Sequence, residues 1–130
     1  MHTEHFSEAE LACPCCGHNR ATRRLIEALE ELRKLAGRPL TIRSAYRCAN
    51  HNREVGGAPD SQHLRGRAAD VAAEGRPVRL LSALAATIPE IKGLAEDEYR
   101  GYVHLDVRRA ARRARWCYSA LGRPVAFREV

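Results

Sequence analysis

Residues 61–71 read SQHLRGRAADV. Asp70 interrupts an otherwise apolar Ala68-Ala69-Asp70-Val71 run, and a lone carboxylate is costly to bury. The run AADVAA (68–73) reads as a strand. Asp70 therefore needs a partner. His63 stands in the turn seven residues earlier. Gly66, between the two, allows the loop to curl so that they converge. A second stretch, YVHLDVR (102–108), alternates strictly and is another strand. Its alternation puts Tyr102, His104, Asp106 and Arg108 on one polar face and Val103, Leu105 and Val107 on an apolar one. Apolar faces of such strands must be covered, and the rest of the chain supplies the cover.

ATRRLIEALEELRKLA (21–36) sets Leu25, Ile26, Leu29, Leu32 and Leu35 on one stripe, which predicts an amphipathic helix ended by Gly37 and Pro39. PVRLLSALAATI (77–88) predicts another, with Pro77 near its start. LTIRSAYR (40–47) alternates as a strand leading into a turn, and ANHNREV predicts a short helix stopped by GGAPDS. Ser7 is placed to cap a short helical turn in FSEAELAC. ARWCYSA is a candidate fourth strand. The order helix, strand, helix, strand, helix, strand, strand predicts an α+β fold with a small, mostly antiparallel sheet flanked by helices.

The bulk numbers fit one domain over residues 1–130, with 45% hydrophobic residues for one core and 29% charged. A net charge of +6 and a pI near 9.4 suggest polyanionic surroundings such as nucleic acid, an anionic membrane or a cell-wall polymer. The arginines are dense only in RRAARRAR (108–115). Aromatic residues are too few for a base-stacking row, which argues against single-strand binding. No segment reaches membrane-spanning length, and the polar N-terminus shows no signal peptide.

Five cysteines are present: Cys13, Cys15, Cys16, Cys48 and Cys117. Cys13-x-x-Cys16 with Cys48-x-x-His51 is the ligand set of a structural zinc site at an unusual spacing. A disulfide from the N-terminal loop to Cys48 is the rival, and plain reduced thiols are a third reading. His63, Asp70 and His104 together make a two-histidine, one-carboxylate set. That is how a catalytic zinc is held with one position left for water. A satisfied structural His–Asp pair is the alternative.

SAYRCANHNREVGGAPDSQHLRGRAADV followed by YVHLDVR resembles the zinc D-alanyl-D-alanine carboxypeptidase and endopeptidase family, peptidase family M15. The family pattern Ser-x-His-x-x-Gly-x-Ala-x-Asp is matched by Ser61, His63, Gly66, Ala68 and Asp70, and the later strand histidine by His104. FSEAELAC, RSAYR and RARW are also similar to the small single-domain members. The resemblance implies a Hedgehog/DD-peptidase-like fold and one catalytic Zn2+ on His63, Asp70 and His104. It implies hydrolysis of peptidoglycan stem peptides, with Arg47 on the substrate carboxylate or the oxyanion and Ser61 steadying loop or substrate. Many members carry an acid or histidine three residues before the second zinc histidine. Here that position is Gly101. Asp106 is then the nearest acid and a candidate catalytic residue, or a partner orienting a zinc histidine, while Asp97 and Glu98 lie in the preceding loop.

Two functions follow: a zinc peptidase of carboxypeptidase or endopeptidase type, or a non-catalytic zinc-containing module that binds wall peptides. Nucleic-acid binding through RRAARRAR is the weakest reading. The resemblance implies a bacterial or phage protein, monomeric, acting at the cell wall or periplasm after release, or in the cytoplasm.

Overall fold

Ser7 opens the first helix, α1 (Glu8–Leu11), with a reciprocal cap: its hydroxyl accepts the Glu10 amide, and the Glu10 carboxylate accepts the Ser7 amide. In the computed structural model, which describes residues 3–127, α2 spans Arg23–Ala36 behind an N-cap at Thr22. Leu25, Ile26, Leu29 and Leu32 are buried as the stripe predicts. Leu35 is a correction. It lies at the margin of the buried arc and is 42% exposed, while Ala28 and Ala36 fill the flanks of the arc instead.

The remaining helices are α3 (Ala49–Glu54) and α4 (Val78–Ala85), with a 3-10 turn at Gln62–Arg65. The strands are β1 (Leu40–Ser44), β2 (Ala68–Ala73), β3 (Gly93–Asp97), β4 (Tyr102–Asp106), β5 (Ala114–Tyr118) and β6 (Pro124–Ala126). Among the described residues they form one sheet in the order β1-β2-β4-β3-β5-β6. The expectation of a mostly antiparallel sheet is corrected: the sheet is mixed, because β5 runs parallel to β3. The chain crosses from β4 past β3 to its far edge, and a strand that arrives by crossover rather than by hairpin is free to run parallel.

β3 is the element that sequence patterning missed. GLAED does not alternate and ends in two acids, so it reads as a loop. It is buried on both faces, between β4 and β5. Its charges are met from elsewhere: Glu96 faces Arg115 at 3.7 Å, and Asp97 pairs with Arg100 at 3.0 Å.

One face of the sheet presents Ala69, Val71, Leu94, Val103 and Leu105 to α2 and α4, and these residues form the apolar core. The opposite face carries one continuous row, set by the register. Ser44 lies across from Asp70, Asp70 from His104, His104 from Ala95, and Ala95 from Trp116. The polar residues of β2 and β4 thus meet on the side away from the helices. No helix among the described residues is long and apolar enough to cross a membrane.

Candidate metal centre

His63 reaches this row from the 3-10 turn. Ser61 caps the turn, its hydroxyl accepting the His63 amide at 3.2 Å. Gly66 ends the turn at φ +67°, and a Cβ there would fall 1.8 Å from the carbonyl oxygen of Arg20. Glycine is thus required both by the left-handed backbone and by the close approach of the chain before α2. The curl expected of Gly66 is present, and it brings His63 over Asp70.

The ligating atoms of His63, Asp70 and His104 lie within 4.8 Å of one another. His63 Nε2 is 3.3 Å and His104 Nδ1 3.1 Å from the same oxygen, Asp70 Oδ1. Each donor is braced from behind. His63 Nδ1 is 2.7 Å from the carbonyl oxygen of Ala45, which can only accept, so this nitrogen carries the proton. His104 Nε2 is 2.8 Å from Asp106 Oδ2 and donates to it. Asp70 Oδ2 accepts from Arg47 at 3.2 Å. With the outer atoms fixed in this way, a neutral His63 and a neutral His104 both aim a lone pair at a carboxylate oxygen. Three acceptors converging on one point require a cation or added protons between them. The set therefore fits a divalent metal, and zinc suits two imidazoles and a carboxylate.

The electrostatics agree. Burial opposes charge on Asp70, but the two histidines outweigh it and hold its carboxyl well below the usual range. Burial likewise opposes an imidazolium at His104, yet its bonds to Asp106 and Asp70 bring it up to about 9. The pocket is built to hold positive charge.

Asp106 has no exposed surface. Burial would favour its neutral form, but the Arg108 fork and His104 hold it ionised. Arg108 donates to both its oxygens at 2.8 Å. Gly93 makes room for this carboxylate, since a Cβ there would sit 2.0 Å from Asp106 Oδ2. Asp106 is thus behind His104, on the far side of the ring from Asp70, and does not line the cleft.

That cleft, of about 700 Å³, opens over His63, Asp70 and His104. Arg47 and Ser61 line it. Arg47 is not reserved for a substrate, because it also donates to Ser44 Oγ, Asn52 Oδ1 and Asp70. Of the two loop acids, Asp97 lines the cleft, bonded to Arg100. Glu98 pairs with Arg79 at 3.0 Å, outside the cleft. Sequence reasoning missed Asp60 and the wall of Trp116 and Tyr118. Trp116 packs its ring 5.3 Å from that of His104, leaning over the small Ala95, and Arg108 covers it at 5.4 Å. Alternation of Trp116 and Tyr118 along ARWCY was the available signal, but it lacked the register that sets β5 beside β3.

Three sulfurs also converge: Cys13, Cys16 and Cys48 lie within 4.8 Å of one another. His51 is not among them. It turns toward Glu54, one helical turn on, with 3.8 Å between Nδ1 and Oε2. Burial disfavours the Cys13 thiolate, but amide bonds from Cys48, Cys16 and Cys15 bring the thiol down to about 7.

RRAARRAR is not a free basic face. Arg108 is bound to Asp106. Arg113 donates to the carbonyls of Ile91, Ala86 and Ile88, and Arg115 reaches Ser82 and Glu96.

No curated protein matches the chain. A family model described as Peptidase M15 matches residues 4–106. That span runs from before the cysteine cluster to Asp106, taking in all three converging donors and the braces on each. By that match, over most of its length, the chain belongs to the peptidase M15 family.

Proposed function

We propose that the chain is a zinc metallopeptidase that hydrolyses peptide bonds of peptidoglycan stem peptides, as a carboxypeptidase or an endopeptidase. The observation that carries this reading is the triple convergence on one point, with His63, Asp70 and His104 each braced on its outer atom. Zinc bound there supplies a Lewis acid for the scissile carbonyl and acidifies water near neutral pH. The chain's own residues do the rest. Arg47 presents a cationic edge beside Asp70, suited to a substrate carboxylate or a developing oxyanion. Arg100 and Arg108 add positive charge to the same cleft. Trp116 and Tyr118 form a wall for the apolar part of a short peptide.

Asp106 serves as a positioning residue for His104. Its lone pairs are taken up by Arg108 and His104, and it has no surface from which to take a proton from water. Besides Asp70 the cleft offers one exposed carboxylate, Asp60, on the loop before Ser61; Asp97 is as buried as Asp106 and has both oxygens bonded to Arg100. Asp60 fills the general-base role that Gly101 cannot. Gly101 itself favours a second reading, a wall-peptide binding module without turnover.

Incubation of the zinc-loaded protein with purified stem peptides, followed by mass spectrometry, tests this. Cleaved products that vanish with a chelator and in His63→Ala are expected. Intact peptides at every time point would overturn the peptidase reading, and retained binding without cleavage would establish the module. If turnover is present, Asp60→Asn should lose about two to four decades of rate.

A further inference from the structure

We propose that Cys13, Cys16 and Cys48 bind a structural zinc ion that clamps the N-terminal segment to the loop carrying Arg47. The site is independent of the histidine cluster. The three sulfurs already lie within 4.8 Å of one another, and tetrahedral zinc with sulfurs at about 2.3 Å sets them roughly 3.8 Å apart.

The backbone is arranged around sulfur acceptors. The Cys48 amide points at Cys13 Sγ, 3.4 Å away, and the His51 amide at Cys48 Sγ, 3.5 Å away. The Cys13–Gly17 turn is closed by a bond from the Gly17 amide to the Cys13 carbonyl at 2.8 Å, and Cys13 donates its own amide to the His18 carbonyl at 2.8 Å. This knuckle places two ligands three residues apart on one side of a tight turn. A disulfide would join only two of the three thiols and would need an oxidant. Zinc uses all three, displacing their protons to solvent with no change of redox state. Soft thiolates in this number select zinc over calcium or magnesium.

The location explains what such a clamp does. Cys48 follows Arg47 directly, and Ala45, whose carbonyl braces His63, lies three residues before Cys48. Tyr46 donates its amide to Leu11 at 3.3 Å, so the two segments already touch here. A metal joining positions 13–16 to position 48 therefore fixes two braces of the histidine cluster at once.

The test uses the full chain carrying His63→Ala, loaded with Co2+ in place of zinc. One cobalt per chain with intense thiolate-to-cobalt charge-transfer absorption is expected, since imidazoles and carboxylates cannot produce that band. Adding Cys48→Ser should abolish or strongly weaken it. Should Cys48→Ser not fold, Cys16→Ser, at an exposed position, is the second variant and should weaken cobalt binding at least tenfold. Alkylation of Cys13, Cys16 and Cys48 should be slowed by zinc and restored by a chelator, while that of Cys117 is unaffected. Absence of the band, unchanged binding in Cys16→Ser, or a native mass two hydrogens lighter from a disulfide would each overturn the proposal. Because His63→Ala removes a donor of the other cluster, none of these outcomes depends on the peptidase reading.

Discussion

Gly93 shows how much of the centre rests on a missing side chain. Asp106 can brace His104 only because nothing projects from Gly93 into its carboxylate. Gly93→Ala should push Asp106 aside and release His104, lowering zinc affinity by about 10–100-fold, the usual effect of losing an outer partner. Asp106→Asn should do the same by a different route, since an amide cannot accept from Arg108 at both oxygens. Competition titration with a chromophoric chelator measures both, and parent-like affinity in Gly93→Ala would remove Asp106 as a brace. Arg47 has two duties, and they can be separated. Arg47→Ala leaves Asp70 Oδ2 without its donor, so zinc affinity should fall by about tenfold or more. At saturating zinc, turnover should still be down by roughly two to three decades, the worth of a charge-assisted contact of about 2–4 kcal/mol in a desolvated site. Arg47→Lys should rescue poorly, because one ammonium cannot span Ser44, Asn52 and Asp70. Full kinetic rescue by lysine would reduce the role of Arg47 to its charge.

At the scale of the element, the arginine run before and within β5 divides into anchors and bystanders. Arg113 ties the start of β5 to three carbonyls at and beyond the end of α4. Carbonyls at a helix end have no intrahelical donors, so a guanidinium that collects them fixes the helix to the sheet edge. Arg113→Ala should cost about 1.5–3 kcal/mol in chemical denaturation. Arg109 and Arg112 are exposed, and their alanine variants should stay within about 0.5 kcal/mol of the parent. Equal losses at all three positions would mean that the run acts through net charge and not through these bonds.

For the whole molecule, bound metal should govern stability as well as chemistry. A ligand that binds only the folded state stabilises it by about 2.7 kcal/mol at a hundred times its dissociation constant. For a chain of this size that corresponds to roughly 10 °C in Tm per site. Scanning calorimetry with and without chelator should show a shift of at least that size. His63→Ala should keep only the share contributed by the cysteine cluster. A Tm indifferent to chelator in the parent would argue against metal at either cluster.

The sequence alone determined the elements whose pattern is local. The α2 stripe, the β2 run and the β4 alternation follow from side chains a few residues apart, because helix and strand periods are properties of the backbone itself. The same locality made the His63–Asp70 turn and the polar face of YVHLDVR legible, through Gly66 and strict alternation, while the meeting of His104 with Asp70 is the work of the β2–β4 register. Tertiary structure decided what depends on distant partners. GLAED is a central strand only because Arg100 and Arg115 meet its charges, and nothing within those five residues announces them. Asp70 and Asp106 are the same residue type, each on a strand beside His104. Both lie on the same face, but the register sets Asp70 across from His104 at the cleft and Asp106 one row on, between Ala68 and Gly93, where Arg108 closes over it. His51 had the spacing of a ligand and lost that place to the orientation of α3. Periodicity tells a side chain which face it occupies. Which charge it meets there is set by contacts between residues tens of positions apart, and only the folded sheet brings those together.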